Sequence, residues 1–213
     1  ILALMLLVAV FPKVENPGTF TLGRLPGLFR IKVLVGIYVV VAVFVTGYYT
    51  GYSYIEPFMM QIAGLSESMT TIALTVFGLA GIIGSAAFTK CYDRSRFGFI
   101  ILALGGMCAC LFLLRTSAAM VVTVMAVCAL WGFFATMFNV SFQNEAIRAS
   151  PSDATAIAMS MFSGIYNVGI AMGSLIGGAV TETASVGLIG YIGGVFTLIA
   201  VVFTVSYLIR HMK

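Results

Sequence analysis

Charge is what this sequence has least of. Lys, Arg, Asp and Glu make up 8% of its 213 residues, against 61% hydrophobic ones, whereas a soluble globular chain carries roughly 25% charged residues. Histidine is almost missing: the single one, His211, lies close to the C-terminal end. Cysteine is sparse too, and Cys91, Cys108, Cys110 and Cys128 have neither zinc-type nor CxxC spacing. They read as small apolar packing residues. Without a nucleophile and base, a carboxylate cluster or a metal set, an enzyme working inside the bilayer is not expected. No metal and no cofactor is expected either.

What remains is length of apolar chain. A spanning helix needs about 20 mainly apolar residues. Such blocks run from Val33 to about Tyr54, Met69 to Thr89, Phe97 to Leu114, Ala118 to about Val140, Ala154 to Val180 and Ala184 to Leu208. Mean hydropathy is +1.12, so the chain is read as an all-α membrane protein of six spans. Residues 1–10 are too short to cross a bilayer and lack the basic leader and small-residue cleavage pattern of a signal peptide. They read as the end of a truncated transmembrane helix, which makes the chain the downstream part of a longer protein.

Lys and Arg fix the expected orientation, because cytoplasmic loops retain them. Placing the segment after Val10 inside puts Lys13, Arg24, Arg30, Lys32, Lys90, Arg94, Arg96, Arg148, Arg210 and Lys213 in the cytoplasm and leaves Arg115 alone outside. Both ends are then cytoplasmic. The net charge of +4 is a topology signal, and its spread over four segments gives no support to a nucleic-acid partner.

Residues 11–31, with Pro12, Pro17, Gly18, Gly23, Pro26 and Gly27, form the longest polar and breaker-rich stretch. It reads as a cytoplasmic linker before a six-helix bundle at 32–213. The remaining loops are short, so consecutive helices are antiparallel. Six spans divide into three plus three, and two odd-numbered groups would be related by inversion, as in many secondary transporters. Gly169, Gly173 and Gly177 share one helix face, and Gly78, Gly81 and Gly84 mark a second. Both suit close helix approach.

Polar groups inside spans are costly in hydrocarbon unless they face protein or water, so they are the candidates for function. The first span ends in Gly47-Tyr-Tyr-Thr-Gly-Tyr-Ser-Tyr-Ile-Glu-Pro-Phe58. Helical spacing places Tyr48, Tyr49, Tyr52 and Glu56 on one broad face, with Pro57 marking the helix exit. Two readings of the tyrosines stay open, an interfacial aromatic belt and a cavity wall. Glu56 is either solvated or held by tyrosines as a group able to change protonation. On the fourth span Thr136, Asn139 and Gln143 form a polar stripe, and Ser160, Ser163 and Asn167 form another on the fifth beside Tyr166. Structural bonding between helices and ligand contact are both compatible with Asn167. Ser150-Pro151-Ser152-Asp153 reads as a helix N-terminus, and Glu145 with Arg148 as a local ion pair.

The whole arrangement resembles the C-terminal half of a major facilitator superfamily transporter. The loop Thr89-Lys-Cys-Tyr-Asp-Arg-Ser-Arg-Phe-Gly98 is similar to a degenerate GxxxDRxGR signature, matched at Asp93 and Arg94 and departing from it at Thr89, Arg96 and Phe97. Tyr49-Thr-Gly-Tyr-Ser-Tyr-Ile-Glu-Pro-Phe58, Gly81-Ile-Ile-Gly-Ser85 and Met161-Phe-Ser-Gly-Ile-Tyr-Asn-Val-Gly-Ile170 resemble the bacterial sugar efflux transporters of the drug:proton antiporter group. That resemblance implies an inner-membrane, multi-pass exporter of arabinose-like sugars or galactoside analogues, coupled to protons and working by alternating access with a missing N-terminal six-helix half. Amides and phenols suit sugar hydroxyls and ring faces, so Tyr48, Tyr49, Tyr52, Asn139, Gln143 and Asn167 are the expected substrate contacts. Glu56 is the proton-coupling candidate, and Asp93 and Arg94 form the conformational loop. Export of a chloramphenicol-like drug, a self-sufficient six-helix protein and a nonfunctional half-transporter are the alternatives.

Overall fold

The computed structural model describes residues 25–212; the expected helix tail at 1–10 and most of the linker lie outside them. Within the linker's end, α1 (Leu25–Leu28) makes a single turn. Six long apolar helical spans follow, at Lys32–Gln61, Glu67–Cys91, Arg96–Ser117, Val121–Ala149, Thr155–Thr183 and Val186–Met212. Each overlaps one of the six blocks read from hydropathy. Helices are the natural outcome, because a chain in hydrocarbon must satisfy its backbone donors and acceptors within each segment.

The boundaries shift where local chemistry overrides hydropathy. The first span is broken: α2 (Lys32–Tyr52) stops, Ser53 and Tyr54 intervene, and α3 (Ile55–Gln61) resumes. Pro57 therefore does not end the helix. It occupies the first turn of α3, where its missing N–H is not needed. Gly64, at φ +65°, then supplies the left-handed residue that reverses the chain. Ser66 caps α4 (Glu67–Cys91) by accepting from the Met69 backbone N–H at 3.3 Å. After α5 (Arg96–Ser117), α6 (Val121–Ala149) runs well past the expected end at Val140. The Ser150–Asp153 segment is not a helix start. α7 (Thr155–Thr183) begins beyond it with Ala154 at the N-cap, while the Ser150 hydroxyl donates back to the Ile147 carbonyl at 2.8 Å. The last span contains a 3-10 turn at Val186–Leu188, α8 (Ile189–Phe203), a π segment at Thr204–Leu208 and α9 (Ile209–Met212).

Packing follows a regular scheme. The principal neighbours are α4 with α6, α2 with α7, α2 with α8, α5 with α6, and α5 with α8. Exchanging the first three spans with the last three turns this set into itself: α4·α6 becomes α7·α2, α2·α8 becomes α6·α5, and α5·α8 is unchanged. The helix pairing thus has the symmetry of two three-span units.

Glycine makes the seams. A Cβ on Gly173 would lie 2.5 Å from the Thr46 carbonyl, one on Gly177 2.7 Å from that of Thr50, and one on Gly169 2.9 Å from Val45. All three expected glycines of α7 therefore abut α2. In the counterpart seam, Gly84 and Gly132 approach the Phe133 and Phe77 carbonyls, and Gly81 meets Thr136. Gly78 does not belong to it, since among the described residues nothing lies within 4 Å of the position its Cβ would take. Thr136 serves this seam rather than a polar cavity. The core itself is aromatic: Phe44 stacks on Phe138 at 3.9 Å, Phe138 lies 4.7 Å from Phe142, and Trp131 is fully buried. By contrast α4 and α7 leave broad faces uncovered, with Ile82 67% and Leu175 69% exposed.

A polar and aromatic wall between α2, α6 and α7

The amides converge across α6 and α7. Asn139 donates from Nδ2 to the Tyr166 hydroxyl at 3.2 Å, and Gln143 donates from Nε2 to Asn139 Oδ1. Asn167 turns its Nδ2 onto its own helix, at the Ser163 carbonyl, 2.8 Å away. These residues, with Phe162 and Ser163, line a cavity of about 180 Å³. Among the described residues nothing hydrogen-bonds to Gln143 Oε1 or Asn167 Oδ1. The cavity therefore offers acceptors that still lack a donor.

Tyrosines open a second space beside the first. Tyr49, Tyr52, Ser53 and Glu56 line a cavity of about 330 Å³ with Pro57, Leu74 and Ile170. The Tyr49 ring meets that of Tyr166 edge-on at 6.4 Å, so the walls of the two spaces touch. The break after Tyr52 is braced there: the Ser53 and Ser174 hydroxyls share a hydrogen bond of 2.7 Å, and Tyr54 packs on Gly177 and Gly178. Tyr54 is thus a packing residue. Glu56 is exposed and, among the described residues, accepts no hydrogen bond from a tyrosine, although Tyr49 and Tyr52 share its cavity.

Tyr48 departs from its expected place. It is buried, lines neither cavity, and stacks at 5.3 Å on Tyr52. Behind it stands Trp131, 6.1 Å from Tyr48, 6.4 Å from Tyr52 and 6.2 Å from Phe77. Sequence reading passed over Trp131 and Phe77. A signal was available, because Trp131 is the only tryptophan and sits mid-span rather than at an interface, where tryptophan is enriched. Among the described residues its buried indole N–H has no partner, a rare condition for a polar atom.

At the opposite end of the bundle, the loop between α4 and α5 is tied down by other residues than Asp93 and Arg94. Glu145 on α6 is 1% exposed and receives the Tyr92 hydroxyl on Oε1 and both arms of the Arg96 fork. Arg148 takes no part, which corrects the local Glu145–Arg148 pair expected from spacing. Burial, then the bond to Glu145, pushes the Tyr92 phenol up to about 12. Asp93 and Arg94 are exposed beside this contact. Of the cysteines, Cys108, Cys110 and Cys128 are buried as expected, and Cys91 is exposed.

Volumes limit what this arrangement can be. Small-molecule sites measure about 300–1,000 Å³ and enclose most of their ligand, whereas the amide cavity reaches about 180 Å³ and lies open on one side. It is a wall rather than a closed pocket. Compared with known families, residues 37–212 match the Major Facilitator Superfamily.

Proposed function

Because the chain belongs to the major facilitator superfamily, whose members are membrane transporters, we propose that it forms the C-terminal half of a proton-coupled sugar exporter of a bacterial inner membrane. The observation that carries this reading is the amide–phenol row Gln143–Asn139–Tyr166, set beside Asn167 and facing the Tyr49–Tyr52 aromatic surface. Sugars present hydroxyl donors and an apolar ring face, and this wall offers acceptors and stacking surfaces to match. Asn139, Gln143, Asn167, Tyr49 and Tyr52 contact the sugar, and Tyr48 supports Tyr52 from behind.

Closure of the site calls for a second wall. Ser163 and Asn167 are exposed on α7, and polar groups at membrane depth face protein or water rather than lipid. The N-terminal six helices of the same protein would cover that face. Alternating access then exposes the cavity to each side of the membrane in turn. Glu56, the one carboxylate at the tyrosine cavity among the described residues, is the coupling group in this half.

Loss of preloaded labelled arabinose from cells expressing the complete reading frame tests the proposal. Efflux should be faster than in empty cells and should slow with a protonophore. Asn139→Ala and Asn167→Ala should each lower it about tenfold, as expected for one lost hydrogen bond of about 1.4 kcal/mol, with membrane insertion unchanged. Normal efflux in both variants would remove the amides from the site. Glu56→Gln should abolish the protonophore sensitivity, and pH-driven efflux that survives it would place coupling elsewhere. A second reading, export of an apolar drug, is favoured by the Tyr48–Tyr52–Phe77–Trp131 cluster. Chloramphenicol resistance without arabinose efflux would replace the sugar reading with it.

A further inference from the structure

At the basic end of the bundle, the start of α2, the start of α5, the end of α6 and α9 enclose a cavity of about 350 Å³ that the transport reading does not use. Its polar lining comprises Arg96, Glu145, Arg148 and His211. We propose that this cavity binds the phosphodiester headgroup of an anionic phospholipid, with Arg148 as its principal cation.

The charge balance inside the cavity leads to this ligand. Glu145 has both oxygens occupied, and Arg96 spends its fork on them. That pair is internally neutral, each charge spent on the other. Arg148 is exposed and, among the described residues, has no hydrogen bond and no carboxylate partner. His211 holds its Nδ1 at 2.9 Å from the Tyr207 carbonyl and lies against the Tyr207 ring at 4.2 Å, so Nδ1 is occupied and Nε2 is the nitrogen left for a ligand. An unopposed guanidinium beside an imidazole is a site for an anion. One negative charge suits it better than two, since Arg148 is the one guanidinium of the lining left without a carboxylate among the described residues.

The apolar half of the lining chooses between the two sources of a phosphate group. Ile31, Val33 and Met212 share the cavity with the charges, and all its residues come from span ends, the level at which headgroups meet acyl chains. Arg30 and Lys32 stand exposed next to it in the chain. A free phosphate would gain nothing from the apolar side, whereas a phospholipid places its glycerol and first methylenes there. Basic pockets between spans on the cytoplasmic side are recognised lipid headgroup sites.

Lipid retention by the purified full chain, read by native mass spectrometry from mixed micelles, tests this. With equal amounts of phosphatidylglycerol and phosphatidylcholine offered, the protein should retain the anionic lipid about tenfold in excess. Arg148→Gln should lower that ratio about fivefold. Arg210→Gln removes the same charge from an exposed neighbour outside the lining and should leave the ratio unchanged. Both sites are exposed, so neither variant threatens folding. Equal retention of the two lipids, or equal losses in Arg148→Gln and Arg210→Gln, would overturn the site. Displacement of the lipid by millimolar inorganic phosphate would overturn the lipid source and reassign the cavity to a free anion.

Discussion

Glu145 shows how one side chain acquires a role that spacing alone does not reveal. Its nearest basic residue in sequence is Arg148, yet its partners Arg96 and Tyr92 arrive from a different loop. The two ends of the pair are unequal, since the Arg96 side chain is 25% exposed and that of Glu145 is 1% exposed. Removing one partner of a buried pair costs about 3–5 kcal/mol, and that cost should fall mainly on Arg96→Gln, which strands the buried carboxylate. Glu145→Gln leaves an arginine that can turn to water and should cost less. Thermal unfolding of both variants in detergent decides this, and equal losses would contradict it. Tyr92 adds a pH criterion. An unfolded phenol ionises near 10, whereas burial here raises the value to about 12. A raised phenol contributes stability that is complete below pH 10 and lost as pH climbs through 12. The stability gap between Tyr92→Phe and the parent, about 1.5–3 kcal/mol for a bond to a charged acceptor, should therefore stay constant from pH 7 to 9.5. A gap that closes by pH 9 would show the hydroxyl is not held there.

Helix identity was readable from hydropathy, because all six spans satisfy the length and apolar content a bilayer demands. Helix ends were less so. Pro57 marks an exit only if nothing helical follows, and the sequence does not show that α3 resumes around it. The Ser150–Asp153 motif has the composition of a cap, but the chain uses it as a turn between α6 and α7. Glycine periodicity marked the close-packing face of α7 without naming α2 as its partner, and it overreached at Gly78, since periodicity marks a face without saying how far along it the neighbour reaches. The two classes of glycine should separate cleanly on mutation. Gly173→Ala and Gly132→Ala would drive a methyl against backbone carbonyls at 2.5 and 2.0 Å, forcing helices apart and costing about 1–3 kcal/mol or more. Gly78→Ala and Gly164→Ala meet nothing within 4 Å among the described residues and should be neutral or gain up to about 1 kcal/mol of helix propensity. Melting temperatures of the four variants compare them, and a destabilised Gly78→Ala would mean a neighbour covers that face.

For the bundle as a whole, the amide row was visible as a stripe and the tyrosines as a cluster, but their division into two neighbouring cavities depends on how α2, α6 and α7 meet. Tyr48 was misplaced for that reason, as its face turns inward onto Trp131. Orientation can be read from one native probe. Cys91 is exposed next to Lys90, at the end where Arg96 and Arg148 also lie, while the other three cysteines are buried. A membrane-impermeant maleimide should label Cys91 in inside-out vesicles and spare it in intact cells. The reverse result would invert the topology drawn from Lys and Arg.

The pairing of helices also dictates an order of assembly. A ribosome delivers the spans one at a time, yet α2 closes on α7 and α8, with Gly47 against Gly193 and Thr46 against Gly173. The first of these six spans therefore waits in the lipid with these close backbone seams unmade until the fifth and sixth have left the tunnel. During that interval those faces have only lipid or the insertion machinery to pack against.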